Sequence, residues 1–256
     1  MSYKFDDKVA VVTGGNSGIG KATAAAFADA GAKVVITARR EEEGEQVAAA
    51  LREKGGDVQF VRADVSNSDD VKNMVQFCVD TYGGLDFGFN NAGIEGTPFI
   101  PVADHEESAW REVIDINLTG IFLAMKYQVP EILKRGGGAI VNMSSVAGLT
   151  GSPGGVAYVA SKHGIIGLTK AAALDYATQN IRINVVCPGL IKTEMLERGL
   201  TDPELRAQVQ PMIDMHPIGR IGELKEVADA VLWLCSEQSS FITGQALPID
   251  GGYTTV

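Results

Sequence analysis

The run Val9-Ala-Val-Val-Thr-Gly-Gly-Asn-Ser-Gly-Ile-Gly20 decides the fold. Its first five residues are apolar or β-branched throughout, the pattern of a strand buried on both faces. Gly14-Gly15 stop it, and an alanine-rich helical stretch over 19–30 follows, closed by Gly31. A helix N-terminus carries about half a positive charge and unbonded N–H groups, so this turn suits a pyrophosphate. Gly14 permits the sharp turn, Gly18 lets a phosphate approach the backbone, and Gly20 lets the helix pack close. Asn16, Ser17 and Ile19 lie between them and belong to the same candidate cofactor site. The spacing G-x-x-x-G-x-G departs from G-x-G-x-x-G, and the Gly-Lys-Ser/Thr ending of an NTPase loop is missing.

Outward from this turn, strand and helix patterns alternate. Strands are expected at 9–13, 33–38, 58–63, 85–89, 139–143, 182–187 and 246–249. Helices are expected at 19–30, 41–54, from a Ser66 or Asn67 cap to 82, at 106–134 with a kink at Pro130, at 156–177 and at 225–235. Apolar strands separated by helices imply a parallel sheet covered on both faces, a doubly wound α/β fold. Its ligands should lie beyond the strands' carboxyl ends, at 13–20, 37–40, 63–65, 90–95, 143–155 and 187–195. The composition never shifts, so residues 1–256 are expected to form a single domain.

Composition narrows the function. Glycine supplies 30 of 256 residues, about 12% against a usual ~7%. Lys and Arg number 22 against 32 Asp and Glu, a net charge of −10 that argues against nucleic-acid and anionic-membrane partners. No apolar run approaches the ~18 residues of a membrane helix, and no secretory signal is expected at the N-terminus. Cys78, Cys187 and Cys235 are odd in number and far apart, which fits neither a disulfide framework nor a zinc site. His105, His163 and His216 are isolated, so no metal is expected, and a reducing cytoplasmic compartment fits best.

Tyr158 and Lys162 are four apart in a helical stretch and share a face. A free phenol with a pKa near ~10 is a poor acid or base at neutral pH, and an adjacent ammonium should lower it. Tyr158 then suits general acid–base work, although the same spacing also occurs on plain solvated helices. Ser144 and Ser145 follow the fifth strand, and either hydroxyl could serve a carbonyl oxygen or a turn. Asn117, inside a helical stretch, could partner a backbone group. The second strand ends Thr37-Ala38-Arg39-Arg40, where an NAD site usually has an acid. Arg39 could meet a 2′-phosphate with its forked donors, so NADP(H) is favoured over NAD(H).

Taken in order, Thr13-Gly14-x-x-x-Gly18-Ile19-Gly20, Asp64-Val65, Asn90-Asn91-Ala92-Gly93, Asn117, Ser145, Tyr158-x-x-x-Lys162, Pro188-Gly189-x-Ile191-x-Thr193 and Asp250-Gly251-Gly252 resemble the compact branch of the short-chain dehydrogenase/reductase family. The resemblance spans nearly the whole chain. It implies a Rossmann-type fold with a seven-stranded parallel sheet, a nicotinamide cofactor and often a homotetramer, with a homodimer as the lesser form. It implies hydride transfer between the cofactor and a ketone or secondary alcohol. In that scheme Tyr158 moves the proton, and Ser145, selected over Ser144 by its spacing to Tyr158, polarises the oxygen. Lys162 binds the cofactor ribose and tunes Tyr158, and Asn117 sits in a backbone irregularity that completes a proton relay. Asp64 and Val65 would meet the adenine, Asn91, Ala92 and Gly93 the adenine-side ribose, and Ile191 and Thr193, after Pro188 and Gly189, the carboxamide. Ile94, Glu95, the 146–155 loop and the 190–215 segment would wall the substrate, with 190–222 as a lid that includes Met195, Leu196, Met212, Ile213 and Met215. Two alternatives remain open here: a 3-oxoacyl-(acyl carrier protein) reductase docking through Lys134-Arg135, and a non-catalytic dinucleotide sensor. A small-residue face on 156–177, with Gly164 and Gly167, and the 242–245 stretch are the expected subunit interfaces.

Overall fold

The computed structural model describes residues 3–152, 155–194, 196 and 203–255. Seven strands form one parallel sheet: β1 Val9–Thr13, β2 Lys33–Ala38, β3 Asp57–Arg62, β4 Phe87–Asn90, β5 Gly138–Met143, β6 Ile181–Pro188 and β7 Ala246–Ile249. Their order is β3-β2-β1-β4-β5-β6-β7, with every neighbouring pair parallel.

The two-residue period of a strand explains why β1 and β2 are apolar throughout. Ala10, Val12, Val34 and Ile36 enter one core, where Ala24 and Phe27 of α1 (Gly18–Asp29) and Val47, Ala48 and Leu51 of α2 (Glu41–Glu53) meet them. Val9, Val11 and Val35 enter the other, against α3 (Ser68–Tyr82), α5 (Gly120–Lys134) and α6 (Val156–Tyr176). Both faces are thus buried, as a Rossmann-type sheet requires.

Local signals set the ends. Asn67, rather than Ser66, caps α3 by accepting from the Asp69 and Asp70 N–H groups, and Gly83 ends it at φ 81°. The expected single helix over 106–134 is three pieces: α4 (Glu107–Ile114), a π-helical turn (Asp115–Thr119) and α5. The departure from regular α geometry therefore lies at Asn117, while Pro130 is accommodated inside α5. Among the described residues, two further helices follow, α7 (Pro203–Asp214) and α8 (Leu224–Cys235). Among the described residues, no helix is long and apolar enough to cross a membrane.

The strand order reverses between β1 and β4. Their connections leave in opposite directions, so a crevice opens beyond their carboxyl ends.

Candidate active site

A cleft of about 940 Å³ occupies that crevice, within the usual range for a small-molecule site. Gly14, Asn16, Ser17, Gly18 and Ile19 line it at the start of α1, Arg39 at the end of β2, Asp64 and Val65 after β3, and Asn91, Ala92, Gly93 and Ile94 after β4. Thr193 closes it from the far side. Gly14 and Gly18 hold φ of +65° and +51°, which only glycine adopts freely. A side chain on Gly20 would collide with the Gly14 carbonyl and the Asn91 amide, so Gly20 packs beneath the turn. Pro188, Gly189 and Ile191, expected at the carboxamide, do not line the cleft: Gly189 packs against His216 and Asp250, and Ile191 is in the core.

The reading of 91–93 needs refinement. Asn91 spends its side chain on the protein: Nδ2 donates to the Thr13 carbonyl (2.9 Å), and the Asn91 and Ala92 N–H groups donate to Thr13 Oγ1 (2.9 and 3.0 Å). It ties the glycine turn to the end of β4. Several wall residues were missed. Glu43, Gln46, Val47 and Ala50 line the cleft from α2, and Lys21 from α1. The spacing of three and four along α2 was the signal that could have found them.

Charge in the cleft beside the end of β2 is divided. Arg40 pairs with Glu43 (3.0 Å), and Glu43 also accepts from Asn16 Nδ2 (3.1 Å). Arg39 forms no ion pair among the described residues. Burial raises the Asp64 carboxyl, but hydrogen bonds from Ser66 and the charges of Arg39 and Arg62 outweigh it and hold the group below its usual value. The Thr37 hydroxyl is buried at the cleft wall with no hydrogen-bond partner. An orphaned hydroxyl, two positive-φ glycines and a helix N-terminus fit an anionic dinucleotide with polar sugar groups.

Beyond Gly93 and Ile94 stand the four chemistry-bearing residues. Asn117, fully buried in the π turn, accepts from the Ile94 N–H (2.8 Å) and donates to the Ile94 carbonyl (2.8 Å) and Ser161 Oγ (3.2 Å). It is therefore a backbone partner and also the site of a helix irregularity. A Cβ on Gly93 would sit 3.1 Å from Asn117 Oδ1 and 3.7 Å from Lys162 Nζ, which joins this group to the cleft. Lys162 Nζ, 3% exposed, donates to the Met143 carbonyl (3.1 Å) and lies 5.3 Å from the Tyr158 ring centroid. Ser144 Oγ donates to the Lys162 carbonyl (2.8 Å) and pins α6, while Ser145 Oγ accepts from the Ala147 N–H (3.2 Å) at the turn that follows and also faces the Tyr158 hydroxyl.

One expectation is reversed. Burial pushes Tyr158 up to about 12, eased by its hydrogen bond with Ser145 and reinforced by the Glu95 charge. Burial also drives Lys162 down to about 8. Desolvation opposes both charged forms, and the protein groups alone do not lower the phenol.

The lid region is described in part. His216, 3% exposed, accepts from the Leu190 N–H at Nε2 (3.1 Å), and its Nδ1 lies 2.8 Å from the Met212 carbonyl. Its role is structural. Met195 and Gly199 lie outside the described residues. A shallow apolar depression over α6 is lined by Val156, Val159 and His163, with Gly151 and Ser152 of the expected 146–155 substrate wall, and contains none of Asn117, Ser145, Tyr158 and Lys162. No cluster of metal-ligand side chains occurs among the described residues.

The chain is similar to known proteins over its whole length. A family model described as enoyl-(acyl carrier protein) reductase matches residues 14–254. Cyclohexanol dehydrogenase of Acinetobacter sp. (strain SE19) is 45% identical over all of this chain and 98% of its own. The 2,5-dichloro-2,5-cyclohexadiene-1,4-diol dehydrogenase of Sphingobium indicum is 42% identical over 97% and 98% of the two chains. The crystal structure of levodione reductase superposes with a TM-score of 0.94 at 36% identity, over 99% of this chain and 100% of that one. The glycine turn, the reversed strand order and these full-length likenesses agree: the chain belongs to the short-chain dehydrogenase/reductase family and is an oxidoreductase of CH–OH and C=O groups.

Proposed function

We propose that this enzyme interconverts a ring secondary alcohol and its ketone, with Tyr158 as the general acid–base residue. The meeting of Tyr158, Ser145 and Lys162 just past the Gly93 end of the dinucleotide cleft carries the proposal. The relatives' cyclic alcohols and diols support the substrate class. A bound nicotinamide supplies the hydride acceptor for oxidation and the donor for reduction.

The chain's own residues handle the proton and the oxygen. In oxidation Tyr158 Oη takes the alcohol's hydroxyl proton, and in reduction it returns a proton to the carbonyl oxygen. Ser145 Oγ donates to that oxygen as its charge grows. Lys162 holds the ribose hydroxyls and, when protonated, favours the phenolate. Asn117 keeps the Ile94 loop in place beside them and serves the proton relay.

We assign the adenine end to NADP(H) over NAD(H). Ala38 offers no acid to a ribose 2′-hydroxyl, and Arg39 is exposed at the cleft without an ion pair, where a 2′-phosphate would meet it. Residues 1–256 act as one domain, 190–222 as the substrate lid, and the cytoplasm is the proposed compartment. The exposed Leu174 on α6, with Trp110 and Phe122, supports a homotetramer or homodimer. Carrier-protein docking is less well supported, because Lys134 pairs with Glu131 (2.8 Å) and Arg135 with buried Asp86 (3.1 Å).

The test is absorbance of the reduced nicotinamide with cyclohexanol and cyclohexanone, using each cofactor. Tyr158→Phe should lose turnover by roughly 10²- to 10⁴-fold and keep cofactor affinity. Substantial activity in that variant, or a lower KM for NADH than for NADPH, would overturn the corresponding assignment.

A further inference from the structure

We propose that Glu43 sets how sharply this enzyme tells NADP(H) from NAD(H), by fixing a carboxylate in the cleft and withholding Arg40 from a 2′-phosphate. This rests on placing the adenosine end of the cofactor beside Arg39, as above.

Glu43 lies in the first turn of α2 and lines the cleft with Asn16, Lys21, Arg39 and Arg40. The next residue, Gly44, is buried, and a Cβ there would collide with the Phe60 ring of β3. The first turn of α2 is therefore seated hard against the sheet, which carries Glu43 to the rim of the cleft. Both of its carboxylate oxygens are engaged there. Oε1 pairs with Arg40 Nη1 (3.0 Å), and Oε2 accepts from Asn16 Nδ2 (3.1 Å). Asn16 belongs to the glycine turn, 27 residues away in sequence, so this second bond joins two walls of the cleft.

Charge then decides what the rim accepts. Arg39 forms no ion pair among the described residues, whereas Arg40 is neutralised by Glu43. A ribose 2′-hydroxyl is neutral and can donate to a carboxylate. A 2′-phosphate carries about two negative charges and only accepts, so the same carboxylate repels it. Arg39 thus favours NADP(H), Glu43 opposes it, and the preference of the enzyme is the difference between them. An ion pair as exposed as Arg40–Glu43 adds little to stability, so its main consequence lies in the cleft it lines.

Isothermal titration calorimetry of NADP⁺ and NAD⁺ into the cofactor-free enzyme reads this without turnover. In Glu43→Gln the ratio of the Kd for NAD⁺ to the Kd for NADP⁺ should rise at least about tenfold over wild type, chiefly through tighter NADP⁺. A gain in affinity cannot come from a damaged fold, and the ratio cancels any general loss. Adding Arg40→Gln to Glu43→Gln restores the wild-type charge balance, and the ratio should return to within about threefold of wild type. An unchanged or lower ratio in Glu43→Gln would overturn the proposal. A double variant that keeps the full gain would overturn the part given to Arg40. A wild type that binds NAD⁺ more tightly would instead sink the assignment of NADP(H), and the shift between wild type and Glu43→Gln would still decide for or against Glu43.

Discussion

Replacing Lys162 by Met should stabilise the protein while removing its activity. The ammonium is 3% exposed, and burial has driven its pKa from 10.5 to about 8. That displacement corresponds to roughly 3 kcal/mol of native-state penalty at neutral pH, at about 1.4 kcal/mol per pH unit. Met is unbranched and similar in length, so it can fill the same space. The variant forfeits the bond to the Met143 carbonyl, about 1 kcal/mol, and leaves a net gain of roughly 2 kcal/mol. For a chain of this size that is a rise in Tm of about 4–8 °C. The pH dependence fixes the sign. A group whose folded pKa is depressed binds more protons when unfolded, between about 8 and 10.5. The wild type therefore recovers stability as pH rises through that window, and the variant's advantage shrinks. Cys78 and Cys235, raised to about 12, pull the other way above 9, but they are common to both proteins and largely cancel in the difference. Urea unfolding of both proteins at pH 7 and pH 10 reads this directly. A variant less stable than wild type at pH 7, or an advantage undiminished at pH 10, would refute the reasoning.

Asn117→Ala breaks three hydrogen bonds and strands both polar groups of Ile94, so it should cost roughly 3 kcal/mol in denaturant unfolding. Asp86→Asn weakens a buried carboxylate that serves Lys8, Arg135 and the Val9 N–H. At the amino ends of the strands it should lower stability by about 2 kcal/mol and leave kcat/KM unchanged, as thermal melts and assays would establish. With Tyr158 pushed up to about 12, the phenol stays protonated at neutral pH. Initial rates of alcohol oxidation should thus climb with pH through the mildly alkaline range while ketone reduction stays level near neutrality; the opposite slopes would count against Tyr158 as the proton carrier.

Seven strands and most of the helices were legible because the central strands β1 and β2 are apolar throughout and several glycine pairs end elements; α7 (Pro203–Asp214) lies in the segment read as a lid and was not expected as a helix. Boundaries slipped by a residue or two, as with β6, which begins at Ile181 and ends at Pro188. The π turn was hidden because its residues, Asp115 to Thr119, continue a helical pattern in which register alone changes. The cleft was legible at its loops and illegible on α2. Glu43 and Gln46 look like members of a solvated acidic helix until β2 and β3 bring that helix over the dinucleotide site. The direction of the Tyr158 shift was out of reach for another reason. Sequence spacing gives the neighbour's charge, but desolvation depends on how deeply the pair is buried.

The polar side chains at the strand tips divide into those spent on the scaffold and those left over. Thr13 and Asn91 hold the glycine turn, Asn117 holds Ile94, Ser144 holds α6, and His216 holds the Leu190 backbone. Each is a residue type that an inventory of chemistry would offer for catalysis. What remains is a short set: the Thr37 hydroxyl and the Arg39 guanidinium at the cleft, and the Tyr158 hydroxyl beside Ser145. Thr37 and Arg39 line the cleft, and Tyr158 is joined to it through Lys162, which lies beside Gly93. A ligand that satisfies all of them must be long, phosphorylated at one end and followed at the other by a single reacting oxygen, which is the outline of a dinucleotide beside an alcohol or ketone.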